Sequence, residues 1–232
     1  MPATVLKHPE FSGRIGASRV DITPPVGIYS RTWGSAKHDT AEGVHRPLLG
    51  SCLVFQESDG GNELVFLALD TIVLDSVEVA NIRAGLVKTL GIRPDQLMIH
   101  PSHSHSAPWL LRKRKDRPGG HLIAPYLDAL PGVLTGLVEK ARADAAPAIL
   151  SFAYGRCGLA YNRDAVDAPS GRDVCGLNLS KQADDTVLVG RITAAQRHRM
   201  AGIVDHGGAR HRGGALRFPA RRIGRPDAPA QL

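Results

Sequence analysis

The chain has 232 residues, of which 43% are hydrophobic, and it carries a formal net charge of +7. This length and hydrophobic content are typical of one globular domain. No apolar run approaches the ~20 residues of a membrane-spanning helix, and residues 1–16 lack the apolar core of a secretory signal. We therefore expect a cytoplasmic protein with no transmembrane segment. The odd number of cysteines favours reduced thiols: Cys52, Cys157 and Cys175.

The first elements in the chain are predicted to be strands. Residues 14–23 alternate apolar and polar side chains before Pro24-Pro25, which predicts a strand ended by a turn. Residues 27–47 are predicted to form a long loop, and loops of this length are often functional. Residues 48–55 and 64–69 are two further strands, joined as a hairpin through a turn at 59–62.

A helix–strand pair is predicted next. Residues 75–90 have helical spacing, with Ser76 as the N-cap and Gly91 at the C-terminal end. Residues 97–99 form a short apolar strand, so the strand–helix–strand order predicts partly parallel pairing. A basic loop at 111–120, either solvated or acting as a lid or anion site, precedes a helix at 121–145 that Pro131 bends or divides.

Strands at 148–154 and 186–192 complete the predicted elements. The fold class is therefore α/β, with a mixed, partly parallel sheet flanked by helices. We expect residues 1–193 to form part of a catalytic domain and residues 194–232 to form an irregular tail.

Three histidines directly follow the strand at 97–99: His100, His103 and His105. Ligands and catalytic groups collect where strands of α/β sheets end, and neutral imidazole is the commonest metal ligand. Positions two apart share one side of an extended chain, so His103 and His105 can face one ion. The alternative is a pair of loop histidines that bind nothing. If His103 holds zinc, the metal makes hydroxide available at neutral pH and His105 can move the proton.

Other side chains are candidates for the same site. Asp70 directly follows the strand at 64–69. Its carboxylate can accept a hydrogen bond from a metal-binding imidazole and so orient it, or it can cap a turn. His45 lies in the long loop with His38 and Asp39, where exposed polar residues are equally expected. Arg163 can stabilise an oxyanion, or it can form a surface salt bridge.

Four segments together resemble the neutral, non-lysosomal ceramidase family. They are Arg14 to Pro25 followed by Gly43-Val44-His45, then Val65 to Asp70, then His103-Ser-His105-Ser-Ala-Pro108, and Tyr161-Asn-Arg163. The third segment is similar to that family's His-Thr-His-Ser-Gly-Pro signature. The resemblance covers residues 14–193.

The resemblance implies a zinc-dependent hydrolase of N-acyl amide bonds that converts ceramide or a related N-acyl lipid to an amine and a fatty acid. It implies His103 as a ligand of one zinc ion. It also implies that His105 lies beside the reacting carbonyl and that Arg163 holds substrate or the developing charge. Independently of the resemblance, Asp70 and His45 are candidates for positions behind these residues. Members of the family are secreted or membrane-associated. The family's later ligands, a histidine in a Cys-His-Pro context, a glutamate and a tyrosine, have no match here, so the zinc site is expected to be incomplete.

The composition changes abruptly after Thr193. Residues 194–232 contain eight arginines against two acidic residues and so carry +6 of the total charge of +7, leaving the rest nearly neutral. We expect this tail to be disordered or out of frame, which would leave the enzyme impaired and its exposed core prone to self-association. The alternatives are a nucleic-acid-binding protein acting through a genuine Arg-rich arm and a non-catalytic remnant. The nearly neutral body argues against nucleic acid as the partner.

Overall fold

The computed structural model describes residues 10–32, 36–194 and 200–206. Nine strands and two α-helices are found in these ranges, together with short 3-10 turns. The strands are β1 Glu10–Asp21, β2 Leu49–Gln56, β3 Glu63–Leu69, β4 Leu97–Pro101, β5 Ala146–Arg156, β6 Asp164–Asp167, β7 Arg172–Cys175, β8 Thr186–Ala194 and β9 Met200–His206. The helices are α1 Ser76–Leu90 and α2 Ile123–Asp144.

Seven strands form one mixed sheet in the order β4-β3-β2-β1-β5-β8-β9, and β6 and β7 form a separate hairpin. Only β3 and β4 pair in parallel, whereas all the other neighbours in this sheet are antiparallel. The predicted α/β class, the hairpin of β2 and β3 and the partly parallel pairing are confirmed. The crossover from β3 to β4 contains α1, as parallel pairing requires.

Both helices pack on one face of the sheet. The Ser18 hydroxyl on β1 donates to the Leu137 carbonyl of α2 at 2.6 Å. A Cβ on Gly16 would overlap the Ala141 carbonyl, so a glycine is needed for the helix to approach this closely. The main core therefore lies between the sheet and the helices. It includes Leu67 on β3, Leu86 on α1 and Leu134 on α2.

Helix α1 begins as predicted, but its cap differs. The Asp75 side chain accepts a hydrogen bond from the Glu78 amide at 2.9 Å, so Asp75 is the N-cap, and Ser76 is the first helical residue. Gly91 ends the helix with φ of 66°, as its sequence position predicted. The buried face contains Glu78, which sequence periodicity did not select because it is charged.

Helix α2 is continuous through Pro131, so of the two predicted effects of this proline, bending or dividing the helix, division does not occur. Length and composition alone would allow residues 120–144 to cross a membrane, which the count of apolar runs did not register. In the structure, the apolar side of α2 is buried against β1, β2 and α1.

The C-terminal region differs from the prediction in one element. Residues 194–232 were expected to be irregular, yet Met200–His206 is a strand, β9, that pairs antiparallel with β8. Most of the remaining tail, including the arginine-rich residues 207–232, lies outside the described residues.

Candidate functional site

The candidate site is formed by two loops that follow the parallel strands β3 and β4. Parallel strands end at the same edge of a sheet, and ligands bind at that edge in α/β folds. The Ser102 amide donates to the Leu69 carbonyl at 2.8 Å, which extends the pairing one residue beyond β4. The loops at 70–74 and 102–109 are therefore held side by side.

The two histidines are close neighbours. The ring centroids of His103 and His105 lie 4.8 Å apart, and their planes are inclined by 72°. The Nδ1 atom of His103 lies 2.7 Å from the Ile72 carbonyl oxygen, so Nδ1 donates to that carbonyl and Nε2 is the remaining ligand or acceptor atom. His103 is exposed, whereas His105 is half-buried with its Nε2 atom inside the protein.

The backbone at His103 is strained. Its φ is 56°, and His103 is alone among the described non-glycine residues in having a positive φ. An L residue is costly in this conformation unless its surroundings hold it there, and such strain is concentrated at functional sites. The backbone turns at His103, and the two imidazoles lie side by side although Ser104 separates them in the sequence.

Polar atoms around the pair are buried without hydrogen-bond partners among the described residues. They are the Thr71 hydroxyl, the Ser102 hydroxyl and the Trp109 indole N–H, all from the same two loops. An unmade buried hydrogen bond costs about 1–3 kcal/mol, so such atoms call for an explanation. A ligand, an ion or further polypeptide at this edge would supply the partners.

A cation holds the loop after the histidines against the long loop. The Arg114 guanidinium lies 4.4 Å from the Trp109 ring centroid and 5.4 Å from that of Tyr29. It also donates to the Arg31 carbonyl at 3.2 Å. The basic loop at 111–120 is anchored near its ends, because Leu111 and Gly120 are buried and Arg112 pairs with buried Glu78. Residues 115–118 between these anchors are exposed, as the solvated alternative predicted.

Asp70 lies at the same end of the sheet as the histidines, but its carboxylate is hydrogen-bonded to β2. Its Oδ2 accepts a hydrogen bond from the Leu49 amide at 3.0 Å, which fixes the start of β2 beside the end of β3. The acceptor that orients His103 is instead the Ile72 carbonyl. Asp70 also acts on Arg19: burial lowers the pKa of that guanidinium, and the nearby Asp70 carboxylate partly opposes the shift.

The long loop places its candidates on the surface. His45 is exposed, four residues before β2 begins at the same edge of the sheet. The Nδ1 atom of exposed His38 lies 2.8 Å from a Glu42 carboxylate oxygen, and Arg31 forms an ion pair with Asp39 at 3.2 Å.

Arg163 follows β5 in the chain, and β5 ends at the opposite end of the sheet from the histidine loops. Strand β5 runs antiparallel to β1, so its end at Arg156 points away from the edge where β3 and β4 end. Arg163 follows on an extension that carries β6 and β7, and its carbonyl accepts from the Gly176 amide at 3.0 Å. The described contacts thus do not bring Arg163 to the histidines. Its catalytic role stays a prediction.

The described residues contain no group of three or more His, Cys, Asp or Glu side chains able to surround a metal ion. Two imidazoles alone do not complete the four-coordinate environment that zinc prefers. The described residues therefore do not by themselves form a complete zinc site, and any further donors would come from outside them. Sequence reasoning missed Ile72, Thr71 and Trp109, since a main-chain carbonyl and unpaired polar atoms leave no motif.

Solved structures with a similar fold are ceramidases. The neutral ceramidase from Pseudomonas aeruginosa matches with a TM-score of 0.63 and 17% identity, over 84% of this chain and 31% of that chain. A ceramidase complexed with C2 matches with a TM-score of 0.63 and 18% identity, over 84% and 30%. This chain has a ceramidase-like fold. It spans about a third of the length of these structures, and no family model or curated protein matches it.

Proposed function

We propose that this chain carries the histidine-bearing part of the active site of a zinc-dependent hydrolase of N-acyl amide bonds. The observation that carries the proposal is the contact between the His103 and His105 rings at the shared edge of β3 and β4. The ceramidase-like fold supports the reaction class. Ceramide, or another N-acyl lipid that yields an amine and a fatty acid, is the proposed substrate.

In this proposal His103 contributes one zinc ligand through Nε2, because the Ile72 carbonyl occupies Nδ1. When bound, zinc acts as a Lewis acid and makes water nucleophilic near neutral pH. His105 moves the proton: its imidazole accepts it from the attacking water and delivers it to the amide nitrogen as the C–N bond breaks. The products are the free acid and the amine.

The test compares single variants of the full chain. We expect His103→Ala to lower zinc affinity, measured by metal analysis after equilibrium dialysis. We expect His105→Ala to retain zinc and to lower hydrolysis of a fluorescent N-acyl amide by about 100-fold or more, the usual effect of losing a proton-transfer group. His121→Ala is the control, because His121 is exposed at the start of α2 and has no proposed role.

Equal zinc binding by the wild type and His103→Ala would refute the metal assignment. Zinc-loaded protein whose hydrolysis is unchanged in His105→Ala would refute the proton-transfer role. The nucleic-acid alternative depends on a tail that lies mostly outside the described residues, and no described contact favours it.

A further inference from the structure

A buried carboxylate lies behind the two histidine-site loops. Among the residues that the structure describes, Glu78 is the only charged one that is buried, with 3% of its surface exposed. It lies in the first turn of α1, where the helix dipole favours a negative charge. The proposed reaction gives this carboxylate no role, and burying a charge is costly unless the charge is paired. Its burial therefore depends on a partner.

The partner is Arg112, which follows the loop that carries the histidines. Its Nε atom donates to Oε1 of Glu78 at 2.8 Å, and its Nη2 atom donates to Oδ1 of Asp128 at 2.7 Å. Asp128 belongs to α2. The planar fork of one guanidinium thus joins the chain after β4 to both helices through hydrogen bonds between charged groups, which are stronger than neutral ones.

The two loops of the site are tied to each other at two places. The Nδ1 atom of His103 lies 2.7 Å from the carbonyl oxygen of Ile72, and the pair of Arg112 and Glu78 lies further along the same two segments of chain. Buried apolar side chains hold both segments between these contacts: Ile72, Leu74, Ala107, Leu110 and Leu111. Packed interiors transmit displacements, so a shift of Arg112 relative to Glu78 changes the position of His103 relative to Ile72.

An ion pair is not needed at this position for stability alone. Two charges lose so much hydration on burial that apolar residues of similar volume are often equally stabilising or more so. Apolar contacts, however, are non-directional and let a loop slide, whereas a guanidinium hydrogen-bonded to two carboxylates has a defined orientation. The distinctive contribution of this ion pair is therefore geometric.

We infer that Arg112 is a positioning residue for the histidine pair: through Glu78 and Asp128 it holds the loop after β4 where the His103 ring reaches the Ile72 carbonyl. The ring then keeps its proton on Nδ1 and has Nε2 as its acceptor atom. The consequence for zinc rests on the proposed function. Loss of groups that orient a metal-binding imidazole usually lowers metal affinity by about 10–100-fold.

The test reads the His103 tautomer in the metal-free full chain by nitrogen-15 spectroscopy. The double variant Glu78→Leu with Arg112→Met leaves no buried charge, because the Asp128 side chain is 66% exposed. We expect its urea midpoint to stay close to that of the wild type. Arg112→Lys retains the charge but not the planar fork. Both variants should gain Nε2–H signal at His103, and the double variant should bind zinc at least about tenfold more weakly.

Arg156→Met is the matched control, because it removes an ion pair to Asp185 of 3.0 Å at the opposite end of the sheet. It should leave the His103 tautomer unchanged. A folded double variant in which His103 is as fully Nδ1–H as in the wild type would overturn the inference, as would an equal change in the control.

If the double variant does not fold, Arg112→Lys decides by the same criterion. A wild type that binds no zinc would refute the proposed function but not the positioning role, because the tautomer is read without metal.

Discussion

The Nδ1 atom of His103 lies 2.7 Å from the carbonyl oxygen of Ile72, and this contact joins the loop after β4 to the loop after β3. A carbonyl oxygen can only accept a hydrogen bond, so it selects the tautomer with the proton on Nδ1. Nε2 is then the acceptor atom of the neutral ring. The geometry thus sets the chemical form of the imidazole before any ligand arrives.

This relationship makes a spectroscopic prediction. We expect the neutral His103 ring to be almost entirely in the Nδ1–H form, whereas an unconstrained histidine favours Nε2–H. Nitrogen-15 correlation spectra of the imidazole side chains distinguish the two forms, and exposed His121 provides the reference. An Nε2–H ring at His103 would contradict the Ile72 contact.

The positive φ of His103 predicts that a residue with a Cβ atom lowers the stability of the folded state at this position relative to glycine. Both His103→Ala and His103→Gly remove the bond to Ile72, but alanine retains the steric strain at φ of 56° and glycine does not. We expect His103→Gly to be more stable than His103→Ala by about 1 kcal/mol. Urea denaturation of both proteins measures the difference, and equal stabilities would mean that the turn is not strained.

The buried carboxylate of Glu78 predicts a large effect of its partner. The Glu78 side chain is 4% exposed and lies 2.8 Å from Arg112, which also lies 2.7 Å from Asp128. Arg112→Ala would leave Glu78 buried and unpaired, so we expect a loss of about 2–4 kcal/mol. Asp128→Ala, at a residue whose side chain is 66% exposed, should cost less than about 1 kcal/mol. Thermal and urea unfolding measure the loss of stability in both variants. Similar losses in the two would contradict the burial of Glu78.

The close approach of α2 to β1 predicts opposite effects at two glycines. Gly16→Ala would place a methyl group on the Ala141 carbonyl and force the helix away. Gly132 lies within α2 with open space around it, so Gly132→Ala should stabilise the protein by about 0.5–1 kcal/mol. We expect Gly16→Ala to destabilise it by more than about 2 kcal/mol. A stable Gly16→Ala protein would mean that the helix can shift without loss.

Cys52 should be unreactive in the folded protein. Burial raises the pKa of its thiol from 9.0 to about 12, with smaller effects from the nearby Glu63 and Arg142. The thiolate is the reacting species, so a disulfide reagent at mildly alkaline pH should label Cys157 and Cys175, which are half-buried and exposed. Cys52 should react only in denaturant. Labelling of all three in the native state would contradict the burial of Cys52.

The same shift has a consequence for stability. The folded state favours the neutral thiol, so its contribution is fully present below the unfolded-state pKa near 9.0 and is lost as the pH rises towards 12. We expect Cys52→Ala to remove this alkaline component. Urea midpoints measured between mildly and strongly alkaline pH for the wild type and the variant test the sign.

Local patterns account for the elements that sequence could predict. The hairpin of β2 and β3 follows from apolar alternation around the turn at residues 59–62, and α1 follows from helical spacing before Gly91. The extension that carries β6 and β7 was not predicted, because its strands have four residues each and are largely exposed. Short polar strands have no periodicity strong enough to detect.

By itself, the sequence determined that the imidazoles of residues 103 and 105 would follow a short strand, because that strand and its flanking turn residues are local patterns. Only the tertiary structure decided their partners. The carbonyl of Ile72 reaches His103 because β3 and β4 are parallel neighbours. Strand β5, which precedes Arg163 in the chain, runs antiparallel to β1 and so ends at the opposite end of the sheet. Strand direction and pairing arise from contacts between residues far apart in the chain, which no local pattern encodes.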